Sequence, residues 1–218
     1  MTNTTLYNQL VNGQRGGSVS KNLSTLLFEK KELLVMTFAN LIVQTLITFY
    51  AMKKYSTEKK NRAVSIGLWI GLFVLVVLLV MPMPTWIKFI LFCVFSYGFG
   101  YNLSNLADAD SLHYALMGTL SIFGIMFSIG FMMIVFGIRL GIKTGVVLFF
   151  SLLGLILATL FSPTNSILTT FGIVLFSIYI IYDTNQILQK NYYGDFITAS
   201  LDYYLDILNL FVNLVNRD

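Results

Sequence analysis

Apolar positions fall in long runs along this chain, and short polar stretches interrupt them. A membrane-spanning helix needs about 20 mostly apolar residues. Seven runs reach or approach that length: Leu33 to Met52, Ala63 to Met81, Trp86 to Leu106, Tyr114 to Ile138, 142 to 161, Ile167 to Leu188, and Thr198 to Val215, the last weaker and more polar. The breaks between them are KKYSTEKKNR, MPMP, RLGIK, SPTNS and KNYYGD, with a polar stretch after Leu106. In SPTNS, Pro, Thr and Asn break one helix and cap the next. Lipid tolerates only helices or closed barrels as spanning structures, and these runs are too long and continuous for barrel strands.

The pattern therefore predicts an all-α membrane protein, a seven-transmembrane-helix bundle over residues 31–218. Residues 1–30 read as a polar, flexible tail. Gly13, Gly16 and Gly17 lie there among many Asn, Ser and Thr, with no apolar core of a signal peptide.

Composition supports lipid as the solvent. The chain has 218 residues, 56% hydrophobic and 11% charged, with a mean hydropathy of +0.77. A soluble domain carries about a quarter charged residues, so this one could not cover its surface with polar groups. The net charge of +4 sits mostly before the first span and in the first loop. In a membrane protein such charge speaks of topology and headgroups more than of nucleic acid. With the amino terminus inside, the inner segments hold Arg15, Lys21, Lys30, Lys31, Lys88, Arg139, Lys143 and Lys190. The outer ones hold Lys53, Lys54, Lys59, Lys60, Arg62 and Arg217, so the excess of basic residues favours that orientation. The single cysteine, Cys93, excludes an intramolecular disulfide.

Small residues recur at four-residue spacing: Gly137, Gly141 and Gly145; Ser96 and Gly100; Gly124 and Ser128. Such spacing lets helices pack closely. Trp69 and Trp86 suit interfacial anchoring. Asp108, Asp110 and His113 have a metal-like spacing, but read as a solvated loop. A zinc site is not expected, because no Cys/His cluster exists. Phosphate-loop, nucleophile-elbow and HExxH signatures are absent from the sequence.

The candidate chemistry lies in the last two runs. Asp202, Asp206, Asn209 and Asn213 recur at spacings of four, three and four, one stripe of a helix. Tyr179, Asp183, Gln186 and Lys190 form a similar stripe on the sixth run. A short connection makes the two helices antiparallel neighbours, so Asp183 and Asp206 can meet at one depth, roughly 8 to 12 Å from one membrane face. A carboxylate inside the bilayer is costly, and intramembrane acids are functional candidates by default. Two in contact repel, so they are expected to share one proton. Such a pair can sense pH, or offer oxygens to a hard cation such as calcium. The bland alternative is that each acid accepts a local hydrogen bond near the wet surface.

The segment LFSPTNS…FGIVLFSIYIIYDTNQIL…SLDYYLDILNLFVNLV resembles the carboxy-terminal signature of the Bax inhibitor-1 family, also called the transmembrane Bax inhibitor motif family. The resemblance rests on Tyr182, Asp183, Gln186 and Ile187, and on Tyr204, Leu205, Asp206, Asn209, Leu210 and Phe211. FSYGFGYNLSNL is similar to the family's small-residue-rich third helix. The resemblance implies seven helices and a cytosolic amino terminus. It also implies a pH-sensitive calcium leak, in the endoplasmic reticulum or Golgi of eukaryotic or viral members and in the inner membrane of bacteria. In eukaryotic and viral members it further implies restraint of cell death, with membrane proteins of that pathway as partners.

The family's calcium-path and pH-sensing aspartates carry over to Asp183 and Asp206. Calcium would be the permeant or bound ion, with no other cofactor. Tyr179, Gln186, Asp202, Asn209 and Asn213 would support the path, with the third helix as its opposite wall. Protonation would let the sixth and seventh helices settle against the second. Many relatives carry a basic latch at the end of the second helix; here that place reads Val80, Met81, Pro82, Met83, with Lys88 and Lys190 as the substitute cations. Two other functions stay open: a non-conducting membrane interaction protein, and a proton-coupled transporter. An enzyme is not expected, because the glycine-containing motif of intramembrane aspartyl proteases does not precede Asp206.

Overall fold

Helix ends follow local chemistry. Asn61 accepts a hydrogen bond from the Ala63 amide at 3.0 Å and starts one helix; Asn165 accepts from Ile167 at 2.9 Å and starts another, as the SPTNS turn predicted. Both satisfy amides that a helix start leaves without partners. Gly137, at φ +77°, closes a helix in a left-handed cap. There the Ile138 amide reaches Met133 O at 2.8 Å and the Gly137 amide reaches Ile134 O at 3.0 Å.

The computed structural model describes residues 23–57, 61–104, 106, 109–162, 165–190 and 192–216. Among them lie seven helices and no strand: α1 (Leu23–Lys54), α2 (Arg62–Val80), α3 (Thr85–Leu103), α4 (Ala109–Val135), α5 (Ile142–Phe161), α6 (Ser166–Gln189) and α7 (Phe196–Val215). Helix α1 begins well before Leu33, inside the stretch read as a polar tail; residues 1–22 of that stretch lie outside the described residues. Helix α4 ends three residues before Ile138 because Gly137 caps it.

Six helices, α1 to α6, are long and apolar enough to cross a membrane. The protein is thus an all-α, multi-pass membrane protein. Helix α7 is different: it packs against α1, α4 and α6, with a lighter contact to α3, and so sits at the centre of the bundle. Its Tyr203, Tyr204 and Leu210 are wholly buried. A helix shielded by protein on several sides can keep polar residues that a lipid-facing helix cannot. The outer helices present Ile42, Ile70, Phe73 and Phe150 outward, as a lipid-solvated surface requires.

Helix α2 lies at the edge, packed on α3, and α5 lies at the other edge, packed on α6. This corrects the expected docking of the sixth and seventh helices onto the second: α6 packs on α4, α5 and α7, and α7 on α1, α4 and α6. Close approach occurs at four glycines, among them Gly172 against the Asn213 side chain of α7. A Cβ on Gly100 would overlap Thr48 O of α1, one on Gly130 would meet Ile181 O of α6, and one on Gly145 would strike the Tyr182 hydroxyl. Gly124 and Gly141 meet nothing within 4 Å, so their four-residue spacing serves no such contact.

Candidate functional site

Helices α6 and α7 form an antiparallel hairpin, turned by Tyr193 at φ 50° and Gly194 at φ 82°. The turn is held from outside the hairpin. Lys88, buried at the start of α3, places Nζ 2.5 Å from Asp195 Oδ2 and 2.9 Å from Thr198 Oγ1. Asp195 is also the N-cap of α7, accepting from the Thr198 amide at 3.1 Å. Burial pushes the Asp195 carboxyl up, but the Lys88 ammonium and the Thr198 donors outweigh it and leave the group below the usual carboxylate range.

The hairpin sets Asp183 and Asp206 side by side, close enough for each carboxyl to feel the other. Asp206 is buried, and its Oδ2 has no hydrogen-bond partner among the described residues. Asp183 is half-buried. Two carboxylates in this contact cannot both stay charged at modest cost, so the geometry suits one shared proton. Asp202 lies one turn before Asp206, and its charge acts on both acids. Its Oδ2 accepts from the Tyr192 hydroxyl at 3.1 Å. Burial, and then the Asp202 charge, push the Tyr192 phenol well above its ordinary range. Tyr179 stands on the same stripe, within the field of Asp206 and Asp183.

The remaining expected residues serve elsewhere. Gln186 donates to Leu140 O at 2.6 Å, on the turn between α4 and α5. Asn209 and Asn213 donate to backbone carbonyls four residues back, Leu205 O and Asn209 O, each at 2.8 Å. Asn213 also packs on Gly172 of α6. Helix α3 touches α7 only lightly, so α1 and α4 flank α7 where α3 was expected. Lys88 is committed to Asp195 and is no latch on the acid pair; the cation whose field reaches Asp183 and Asp202 is Lys190. Asp108 lies outside the described residues, and no group of three or more Asp, Glu, His or Cys suited to a metal occurs among those described.

Two arrangements escaped the sequence reading. Asn185, wholly buried, accepts from the Leu140 amide at 2.8 Å and donates to Ile138 O at 3.0 Å, clamping the α4–α5 turn. A buried polar seam also joins α1, α3 and α7. Asn40 bonds Ser200 at 2.5 Å, Ser96 donates to Gln44 at 2.8 Å, and Thr48 pairs with Tyr204. The signal was present: Thr37, Asn40, Gln44 and Thr48 recur at spacings of three, four and four within the first run.

Around the hairpin turn, Glu29, Lys30, Glu32, Tyr192, Tyr193 and Phe196 are among the residues that line a pocket of about 340 Å³. Tyr192 is both part of its wall and the partner of Asp202. On the other side of the acids lies a packed apolar layer. Ile180, one turn from Asp183, and Leu210, one turn from Asp206, are wholly buried in a cluster with Leu148, Leu155, Leu175 and Phe176.

These features define a multi-pass helical membrane protein with paired acids inside its bundle. Over residues 30–217 the chain matches the family described as inhibitor of apoptosis-promoting Bax1, and it belongs to that family. It is 48% identical over 42 residues to Protein LIFEGUARD 1 of Arabidopsis thaliana, 19% of this chain and 18% of that protein. It is 41% identical over 49 residues to the Golgi anti-apoptotic protein of Vaccinia virus (strain Lister), 22% of this chain and 21% of that one. Against the BI1-like protein of Arabidopsis thaliana it is 35% identical over 78 residues, 33% and 30% of the two chains. The matched stretches therefore span less than a third of these relatives' lengths.

Proposed function

We propose that this protein restrains cell death from within a cellular membrane, as a pH-sensitive calcium leak with seven spans. The carrying observation is the contact between Asp183 and Asp206 inside the bundle. The family match and the name of the viral Golgi relative support the anti-apoptotic part. That name also favours the Golgi, or a neighbouring internal membrane, in a eukaryotic or viral setting.

The mechanism uses two states. With a proton shared, the carboxyl pair holds α6 against α7 and the apolar layer at Ile180 and Leu210 stays shut. With the proton lost, the two charges repel, the hairpin parts, and the oxygens of Asp183, Asp206 and Asp202 become available to a passing cation. Calcium takes six to eight oxygens in a resident site. Three acids, one of them already bonded to Tyr192, suit a cation in transit better than one that stays. Glu29 and Glu32 line the pocket at the hairpin turn together with Lys30, leaving one net negative charge at its mouth, and Tyr192 stands between that pocket and Asp202.

Calcium flux into liposomes holding only this protein, at about pH 6, 7 and 8, tests the reading beside Asp183→Asn and Asp206→Asn. Flux that rises with pH, and loses that dependence in either variant, is expected. The packed apolar layer favours one second reading, a non-conducting protein that acts through membrane partners. Absence of flux from folded protein would select it.

A further inference from the structure

Away from the acids, α1 and α4 stand apart over part of their length and leave a groove floored by α7, with a volume of about 240 Å³. At its deep end the groove is closed. Phe38 of α1 packs edge-on against Phe123 and Phe127 of α4, with ring centroids 6.3 and 5.3 Å away, and stacks on Tyr203. Towards the far end of α1 the walls are hydrocarbon: the hydroxyls of Thr45 and Thr48 are spent on Leu41 O and Tyr204, and that of Thr119 is buried without a partner among the described residues. The groove opens sideways between two helices long and apolar enough to span a membrane, so what reaches it is lipid.

The register of both walls leads to the membrane surface. On α1, Ile42, Leu46 and Phe49 line the groove, and the same stripe continues four residues on to Lys53. On α4, Leu116, Leu120 and Phe123 line it, and the stripe continues three residues back to His113. Both Lys53 and His113 are exposed, at the end of the bundle opposite the α6–α7 turn. Lys54, by contrast, is engaged by the rings of Tyr50, Tyr55 and Tyr97 and by the Tyr97 hydroxyl. The Lys53 side chain has no bond among the described residues. From Ile42 to Lys53 the helix rises about 16 Å, roughly the thickness of one hydrocarbon leaflet.

We infer that this groove is a binding site for one phospholipid with an anionic headgroup, its acyl chain lying between α1 and α4 and its headgroup at the end of the bundle that carries Lys53 and His113. Hydrocarbon walls give affinity for the chain and no preference among heads. The preference comes from Lys53, because an ammonium at the headgroup level attracts a head with net negative charge more than a zwitterionic one.

Native mass spectrometry of the full chain in detergent, given equal phosphatidylglycerol and phosphatidylcholine, tests this. Wild type is expected to retain one phosphatidylglycerol in preference. Leu120→Trp, which fills the groove from a lipid-exposed position, should cut retention of both lipids about tenfold. Lys53→Gln should keep retention and bring the two lipids near parity. If Leu120→Trp disturbs folding by circular dichroism, Leu46→Trp on the facing wall and Lys53→Gln decide. Equal retention in the filled variants, or an unchanged preference in Lys53→Gln, overturns the site. So does displacement of the lipid by a sterol in a manner indifferent to Lys53, or a dimer cross-linked through the groove.

Discussion

The ammonium of Lys88 lies 2.5 Å from the carboxylate of Asp195, joining the start of α3 to the N-cap of α7 across more than a hundred residues of chain. An ordinary N-cap is worth about 1 kcal/mol. This one also neutralises a buried cation, and removing one partner of a buried pair costs about 3 kcal/mol or more. Asp195 is a third exposed, so solvent screening lowers that figure. Asp195→Ala should therefore destabilise by about 2 kcal/mol, read as a lowered melting temperature in detergent.

The same pair gives a pH dependence of known sign. The folded Asp195 carboxyl sits below its ordinary range, so its contribution is complete above the unfolded value near 3.9. It is lost as pH falls through the lower folded value. Thermal unfolding from about pH 6 to 3 should show a stability loss below about pH 4 that is smaller in Asp195→Asn. An acid limb of equal size in that variant would remove Asp195 as its source.

Asp183→Asn with Asp206→Asn should preserve the fold, since amides can bond where a protonated carboxyl did. Flux in this double variant should be flat between about pH 6 and 8. An unaltered pH profile would mean that the pair does not sense protons.

Asn185→Ala strands the Leu140 amide and Ile138 carbonyl in a turn that the side chain clamps twice. Each lost partner costs about 1 kcal/mol, so roughly 2 kcal/mol is expected. Hydrogen exchange at the Leu140 amide should rise while amides in the middle of α7 stay protected.

Gly100→Ala puts a methyl into the Thr48 carbonyl and must separate α1 from α3, at a cost of about 1–3 kcal/mol. Gly67→Ala meets nothing within 4 Å and should be neutral or slightly stabilising. Comparable losses for both would mean that the close approach carries no special weight.

The helices were legible because bilayer thickness imposes a length and an apolar composition on each lipid-facing span, and because Asn165 and the MPMP break punctuate the chain chemically. The α6–α7 hairpin was legible too: its short connection makes the two helices antiparallel neighbours, and helical spacing puts Asp183 and Asp206 at one depth. Centrality of α7 was less visible, because hydropathy reports exposure to lipid and cannot say which helix other helices will cover.

Side-chain partners were decided by tertiary structure alone. Gln186 lies on the same stripe as Asp183, yet it bonds Leu140 O, because α4 ends at Gly137 and its turn falls beside α6. Lys88 was a plausible latch by proximity in sequence, yet the packing of α3 places it at Asp195. Periodicity determines which residues share a face of a helix. Which neighbour that face meets depends on how all seven helices pack, and that is a property of the whole bundle.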